Sequence, residues 1–281
     1  DDQVSMSSGK AVSTGTNQAV PISYYKQFDT GQIVTASTTQ ATSADDYLAQ
    51  AGAIRKKKGQ AREVIRLANQ ALELKKSAKG YMYRGTAKYD LGDHYGAISD
   101  FNKAIELDPQ YALAYNNSGN AKGQLGDYQG AIADFNKAIE INPQLALPYY
   151  NRGLAKGRDL GDLQGAIKDF NKSISVDPRD VTVYYSRGLA KGGLDDTQGA
   201  ISDYSKAIEI DPQYVDAYSN RGFEKLKLED YLGAFIDFNK AIEIDPQYAL
   251  AYNNRGNVKQ KLGDKRGSCD DYKKSASLGY Q

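Results

Sequence analysis

From residue 77 onward, small and apolar residues return at helical spacing in two alternating blocks. In the first block an aromatic precedes a glycine by one turn, as Tyr115 precedes Gly119. In the second, an alanine, an aromatic and an alanine stand at i, i+4 and i+7, as do Ala131, Phe135 and Ala138. Both spacings place their members on one face of a 3.6-residue helix. Between the blocks lies "LGD". Gly126 suits the left-handed residue that ends one helix, and Asp127 suits the cap that starts the next. A proline then follows the second block, where it cannot extend that helix. The pattern predicts helix A, tight turn, helix B, exit.

The unit recurs. Prolines stand at Pro109, Pro143, Pro178, Pro212 and Pro246, spaced 34, 35, 34 and 34 residues. The single extra residue lies in "AKGRDLGD" (155–162), just before a turn. Six repeats follow: 77–110, 111–144, 145–179, 180–213, 214–247 and 248–281. Helix A carries Gly85, Gly119, Gly153, Gly188, Gly222 and Gly256. Helix B carries Ala97, Ala131, Ala166, Ala200, Ala234 and Ser268, and four residues on Phe101, Phe135, Phe170, Tyr204, Phe238 and Tyr272. Large against small at fixed spacing is how neighbouring helices interdigitate. Core packing therefore outweighs base stacking as the reading of this aromatic stripe.

The pattern aromatic–x3–Gly–x11–Ala–x3–aromatic–x2–Ala–x4–Pro over residues 77–281 resembles the tetratricopeptide repeat (TPR) family. The resemblance implies an all-α fold, a right-handed α-solenoid of antiparallel helix pairs. Its concave face would be lined mainly by A helices, and its members usually serve as binding scaffolds. The last repeat departs from the pattern, with Tyr280 for the proline and Ser275 for an alanine; terminal repeats meet water on one side. One such unit cannot bury its own apolar face, so copies stack until a core exists. The repetition is structural, and function is to be sought in what varies between copies.

Two charges recur at interior positions. Arg84, Arg152, Arg187, Arg221 and Arg255 precede the helix A glycine, with Ser118 as the exception. Asp100, Asp134, Asp169, Asp203, Asp237 and Asp271 precede the helix B aromatic. A lone buried charge is very costly, so the spacing predicts Arg–Asp pairs. Lysines one turn after the arginine position, Lys88 to Lys259, can share those carboxylates.

Composition closes several doors. The 281 residues are 40% apolar and 25% charged, normal for a folded soluble chain. No stretch approaches the roughly 20 apolar residues of a spanning helix, and the net charge of +1 gives no field to draw in nucleic acid. Cys269 and His94, alone of their kinds, cannot build a zinc site. Cys269 reads as a small packing residue and His94 as a surface helix residue. No GxxxxGK[ST], HExxH or GxSxG motif occurs, and every acid belongs to a repeated position, so no catalytic residue, metal or cofactor is expected. A first residue that is not Met favours an exported chain, periplasmic or lumenal, over a cytoplasmic one.

By the family's geometry the concave face draws on helix A six and three residues before its glycine, then one, four and five after it. In the middle repeats these positions supply Tyr150, Leu154, Tyr185, Leu189 and Phe223, an apolar patch; Asn116, Asn120, Asn253 and Asn257 flank it. Glycines 123, 157 and 192 would leave room beside the patch. Such a surface predicts an interaction site. Residues 1–43 form a Ser/Thr/Gly/Gln-rich extended tail that cannot fold alone. Within it, segment 22–34, with Tyr24, Tyr25 and Phe28, reads as a docking segment for a partner or for this chain's own groove. Residues 44–76 resemble a worn first helix pair, and the basic run 54–62 reads as a solvated helix end. The expected function is a non-catalytic scaffold binding a protein segment with apolar side chains, an assembly or tethering factor. The alternative is a structural subunit whose tail docks into a partner complex or a neighbouring copy. Self-association stays open; no nucleic acid or membrane insertion is expected.

Overall fold

The computed structural model describes residues 43–280. The tail segment with Tyr24, Tyr25 and Phe28 lies outside the described residues. Among these are fourteen α-helices and no strand: α1 (Ala44–Ile54), α2 (Ala61–Leu74), α3 (Ala78–Asp90), α4 (His94–Leu107), α5 (Ala112–Gln124), α6 (Tyr128–Ile141), α7 (Ala146–Leu154), α8 (Leu163–Val176), α9 (Val181–Gly192), α10 (Thr197–Ile210), α11 (Val215–Lys227), α12 (Tyr231–Ile244), α13 (Ala249–Lys261) and α14 (Lys265–Ser277). Each helix packs on the next along the chain. Odd-numbered helices are the A helices and even-numbered ones the B helices.

Local chemistry sets the joints. Gly92, Gly126, Gly161 and Gly263 end A helices with φ between 71° and 86°; where the sequence lacks that glycine, Asp195 and Glu229 take φ 61° and 59° instead. The following aspartate caps each B helix from α4 to α14, as when Asp127 accepts the Gly130 N–H at 2.9 Å. The carboxylate folds so closely over that third position that a Cβ on Gly130 would collide with it. The 35-residue repeat is accommodated by a π turn, Ala155–Asp159, that continues α7. One wide turn absorbs one extra residue without disturbing either neighbour.

The core is a column of aromatic rings over glycines. A Cβ on Gly153 or Gly188 would lie 2.6 Å from the ring of Phe170 or Tyr204, so only hydrogen fits. Phe101, Phe135, Phe170, Tyr204 and Phe238 are buried, each with its alanine beside it. Cys269, expected to pack, is instead exposed. The matching residues Ile98, Ile132 and Ile167 are half-buried between repeats, whereas among the described residues no further helix packs on α14 to cover Cys269. His94 opens α4 half-buried, its ring edge-on to Tyr89 at 5.2 Å.

The charges pair as their spacing implies. Each of the five arginines grips the aspartate of its own B helix through Nε and Nη2, at 2.5–3.0 Å. Its Nη1 reaches back to the preceding B helix, to Asn69, Asn136, Asn171, Ser205 or Asn239 at 2.5–3.1 Å. The lysine one turn on meets the same carboxylate at 2.8–2.9 Å. Each guanidinium also lies over a tyrosine ring, as Arg152 over Tyr149 at 5.7 Å. Each rung thus joins one A helix to two B helices. Burial acts to raise the Asp100 and Asp271 carboxyls, but the bonds from Arg84 and Lys88, or Arg255 and Lys259, outweigh it and hold both below the usual carboxylate range.

Candidate protein-binding face

Beyond the chain-sequential contacts, α1 touches α3, α3 touches α5, α5 touches α7 and α11 touches α13, while successive B helices approach one another less. The A helices therefore line the inner, shorter curve.

On that curve the position three residues before each glycine turns inward rather than outward. Asn116, expected on the groove, is buried; it accepts from Asn151 Nδ2 at 2.9 Å. Tyr150, also expected there, is buried against Phe170, Val183 and Ala190, its hydroxyl 3.4 Å from Ser186 Oγ. Tyr185 is half-buried against Tyr204 and Tyr214, and its hydroxyl accepts from Asn220 Nδ2 at 2.8 Å. Each bond links one A helix to the next, a repeat further on. A second ladder, of neutral polar groups, thus runs inside the curve. Its signal in the sequence is the pairing of Asn116 with Asn151, Tyr150 with Ser186 and Tyr185 with Asn220 in consecutive copies; reading each helix alone misses it. Burial, then the charge of Asp216, drives the Tyr185 hydroxyl well above the ordinary tyrosine range, so it stays a neutral hydrogen-bonding group. Asn253 lies half-buried, in the last of the described repeats.

The position one residue after the glycine does reach the surface. Its row reads Asn120, Leu154, Leu189, Phe223 and Asn257. Leu189, at the centre, is 41% exposed. Leu154 and Phe223 are half-buried, and Lys227 Nζ lies 5.1 Å from the Phe223 ring centre while bonding Glu224 at 2.8 Å. Asn257 accepts the Tyr272 hydroxyl at 2.7 Å. The expected room beside the patch does not come from the glycines at 157 and 192, since a Cβ there would lie 2.9 Å from Ala166 or Glu224. Those glycines serve close helix approach. Among the described residues, no cluster of three His, Cys, Asp or Glu side chains could hold a metal ion, and no helix is long and apolar enough to cross a membrane.

A family model described as TPR repeat matches residues 85–126, 119–159, 156–195, 194–228 and 224–263. Among solved structures, MamA is 26% identical, covering 57% of this chain and 93% of its own, with a TM-score of 0.55. The C-terminal part of a TPR repeat-containing protein from Cytophaga hutchinsonii aligns over 83% of this chain and 95% of its own, at 19% identity and TM-score 0.66. YrrB, described as a TPR protein with an unusual peptide-binding site, aligns over 66% of this chain and 95% of its own, at 24% identity and TM-score 0.55. Comparison with curated proteins finds no match. Matched continuously from residue 85 to 263 and folded as stacked antiparallel helix pairs like these solenoids, the chain belongs to the tetratricopeptide repeat family.

Proposed function

We propose that the chain is a non-catalytic scaffold whose inner face binds a protein segment, holding it for assembly or tethering of a larger complex. The observation that carries this reading is the row Leu154, Leu189 and Phe223, flanked by Asn120 and Asn257. Three apolar residues recur at a surface position on three successive A helices, and Leu189 leaves 41% of its surface in water. A solvated helix face has no use for that row; an interface centre with a polar rim does. The fitting ligand is an extended or helical segment offering apolar side chains, with affinity carried by burial. Truncating such anchors typically costs about 1–4 kcal/mol each. Tyr150 and Asn116 support the face from beneath.

The test is selection of displayed peptides on the full chain, followed by calorimetry on a Leu189→Asp/Phe223→Asp variant. The selected peptides should be rich in apolar residues, bind with little change between low and moderate salt, and lose binding to a variant of unchanged helicity. Unchanged affinity in that variant, or ligands dominated by charge and released by moderate salt, refutes the reading.

A further inference from the structure

The ladder of arginines has one rung without an arginine. At the second repeat Ser118 stands where the other five copies place the guanidinium, yet every group that receives it is kept. Asp134 occupies the position of Asp169 and Asp203, Asn102 that of Asn136 and Asn171, and Tyr115 that of Tyr149 and Tyr184. Three observations mark the rung as incomplete. Ser118 is 0% exposed, and its Oγ has no hydrogen-bond partner. The Asp134 side chain is 15% exposed, against 1–6% for its five counterparts. Among the described residues Asp134 pairs with Lys122 alone, at 2.6 Å, whereas the other carboxylates hold a lysine and an arginine together.

We propose that this rung receives its guanidinium in trans, from an arginine side chain of a protein partner docking on the seam between α4, α5 and α6. The chemistry is written out five times in the same chain: a planar fork gives two bonds to the carboxylate, a third to the neighbouring asparagine, and a flat face to the tyrosine. An ammonium cannot satisfy that geometry. Residues 1–42 do not supply the guanidinium, since they contain Lys10 and Lys26 but no arginine. The occupant is a side chain of a larger partner rather than a free small molecule. Ser118 is sealed from solvent and Asp134 leaves only 15% of its side chain exposed, so little more than the tip of a side chain can reach the carboxylate, and a partner supplies contacts around it that a free ligand lacks. Asn102 and Asp134 stand on the B helices α4 and α6, so the site is separate from the inner-face row, which stands on A helices.

The experiment is titration of the isotope-labelled full chain with acetyl-Gly-Arg-Gly-amide, followed by NMR at the Asn102 side-chain amide and the Ser118 backbone amide. Acetyl-Gly-Lys-Gly-amide and free arginine serve as comparison arms. Saturable shifts with half-saturation on the order of millimolar are expected for the arginine tripeptide, at least about tenfold tighter than for its lysine counterpart. Ser118→Arg, which fills the rung from within, should abolish them. Asn102→Ala, an exposed change that spares the core, should weaken them several-fold. Absence of saturation, equal binding of the lysine peptide, or shifts that survive Ser118→Arg or Asn102→Ala overturn the proposal. Tighter binding of free arginine than of the tripeptide overturns its assignment to a protein partner.

Discussion

Replacing Arg187 by leucine tests whether the charged ladder holds the repeats together. The substitution removes two bonds to Asp203, at 2.9 and 2.5 Å, and one to Asn171 at 2.6 Å, and uncovers the Tyr184 ring. Asp203 is 3% exposed and stays behind as a buried carboxylate. Breaking a buried pair from one side costs about 3–5 kcal/mol. Lys191 remains 2.8 Å from that carboxylate and moderates the loss, which places the expected cost near the low end, about 3 kcal/mol. Removing both partners is the sharper measurement. Arg187→Leu/Asp203→Leu leaves no stranded charge, so the double variant should be more stable than the single one by on the order of 1–2 kcal/mol. Urea unfolding followed by far-ultraviolet circular dichroism reads both. With a slope of roughly 3 kcal/mol/M for a chain of this size, the single variant's midpoint should fall by about 1 M. A midpoint within about 0.2 M of the parent, or a double variant as unstable as the sum of the two single ones, would show that the rung is decoration rather than structure.

Acid should loosen the array. The Asp100 and Asp271 carboxyls titrate lower folded than unfolded, so their stabilisation is complete above the unfolded value near 4 and is lost as pH falls through the folded values. Urea midpoints measured from pH 7 downward should hold until about pH 5 and decline below it, and a midpoint that rises on acidification refutes the ion-pair account. Glu229 ends α11 at φ 59°, where a side chain costs roughly 1 kcal/mol. Glu229→Gly should therefore raise the melting temperature by a few degrees, and a lower melting temperature would show that the glutamate makes a compensating contact.

The helix pairs, their turns and caps and the charged rungs were all legible along the chain. Each depends on residues a turn or a tight loop apart, and their chemistry is local: a glycine that alone tolerates positive φ, an aspartate that reaches a free N–H, a ring that needs a hydrogen opposite it. Repetition multiplied the signal, since the glycine–ring pairing appears six times and the Arg–Asp pairing five. Which residues the inner curve exposes, and with them the proposed binding face, were legible only in part. Leu189 is exposed, Leu154, Phe223 and Tyr185 are half-buried, and Tyr150 and Asn116 are buried. Helical periodicity places a residue on a face; it does not say whether the next repeat lies close enough to cover that face. That is set by how sharply successive A helices converge, a property of the stack and not of any one helix. The same dependence leaves Cys269 exposed, because its position is half-covered only where a further helix pair packs on it, and among the described residues none packs on α14. Ser118 shows both sides at once: the sequence marks it as the copy without arginine, and only the stacked rungs show which neighbours that arginine would have met.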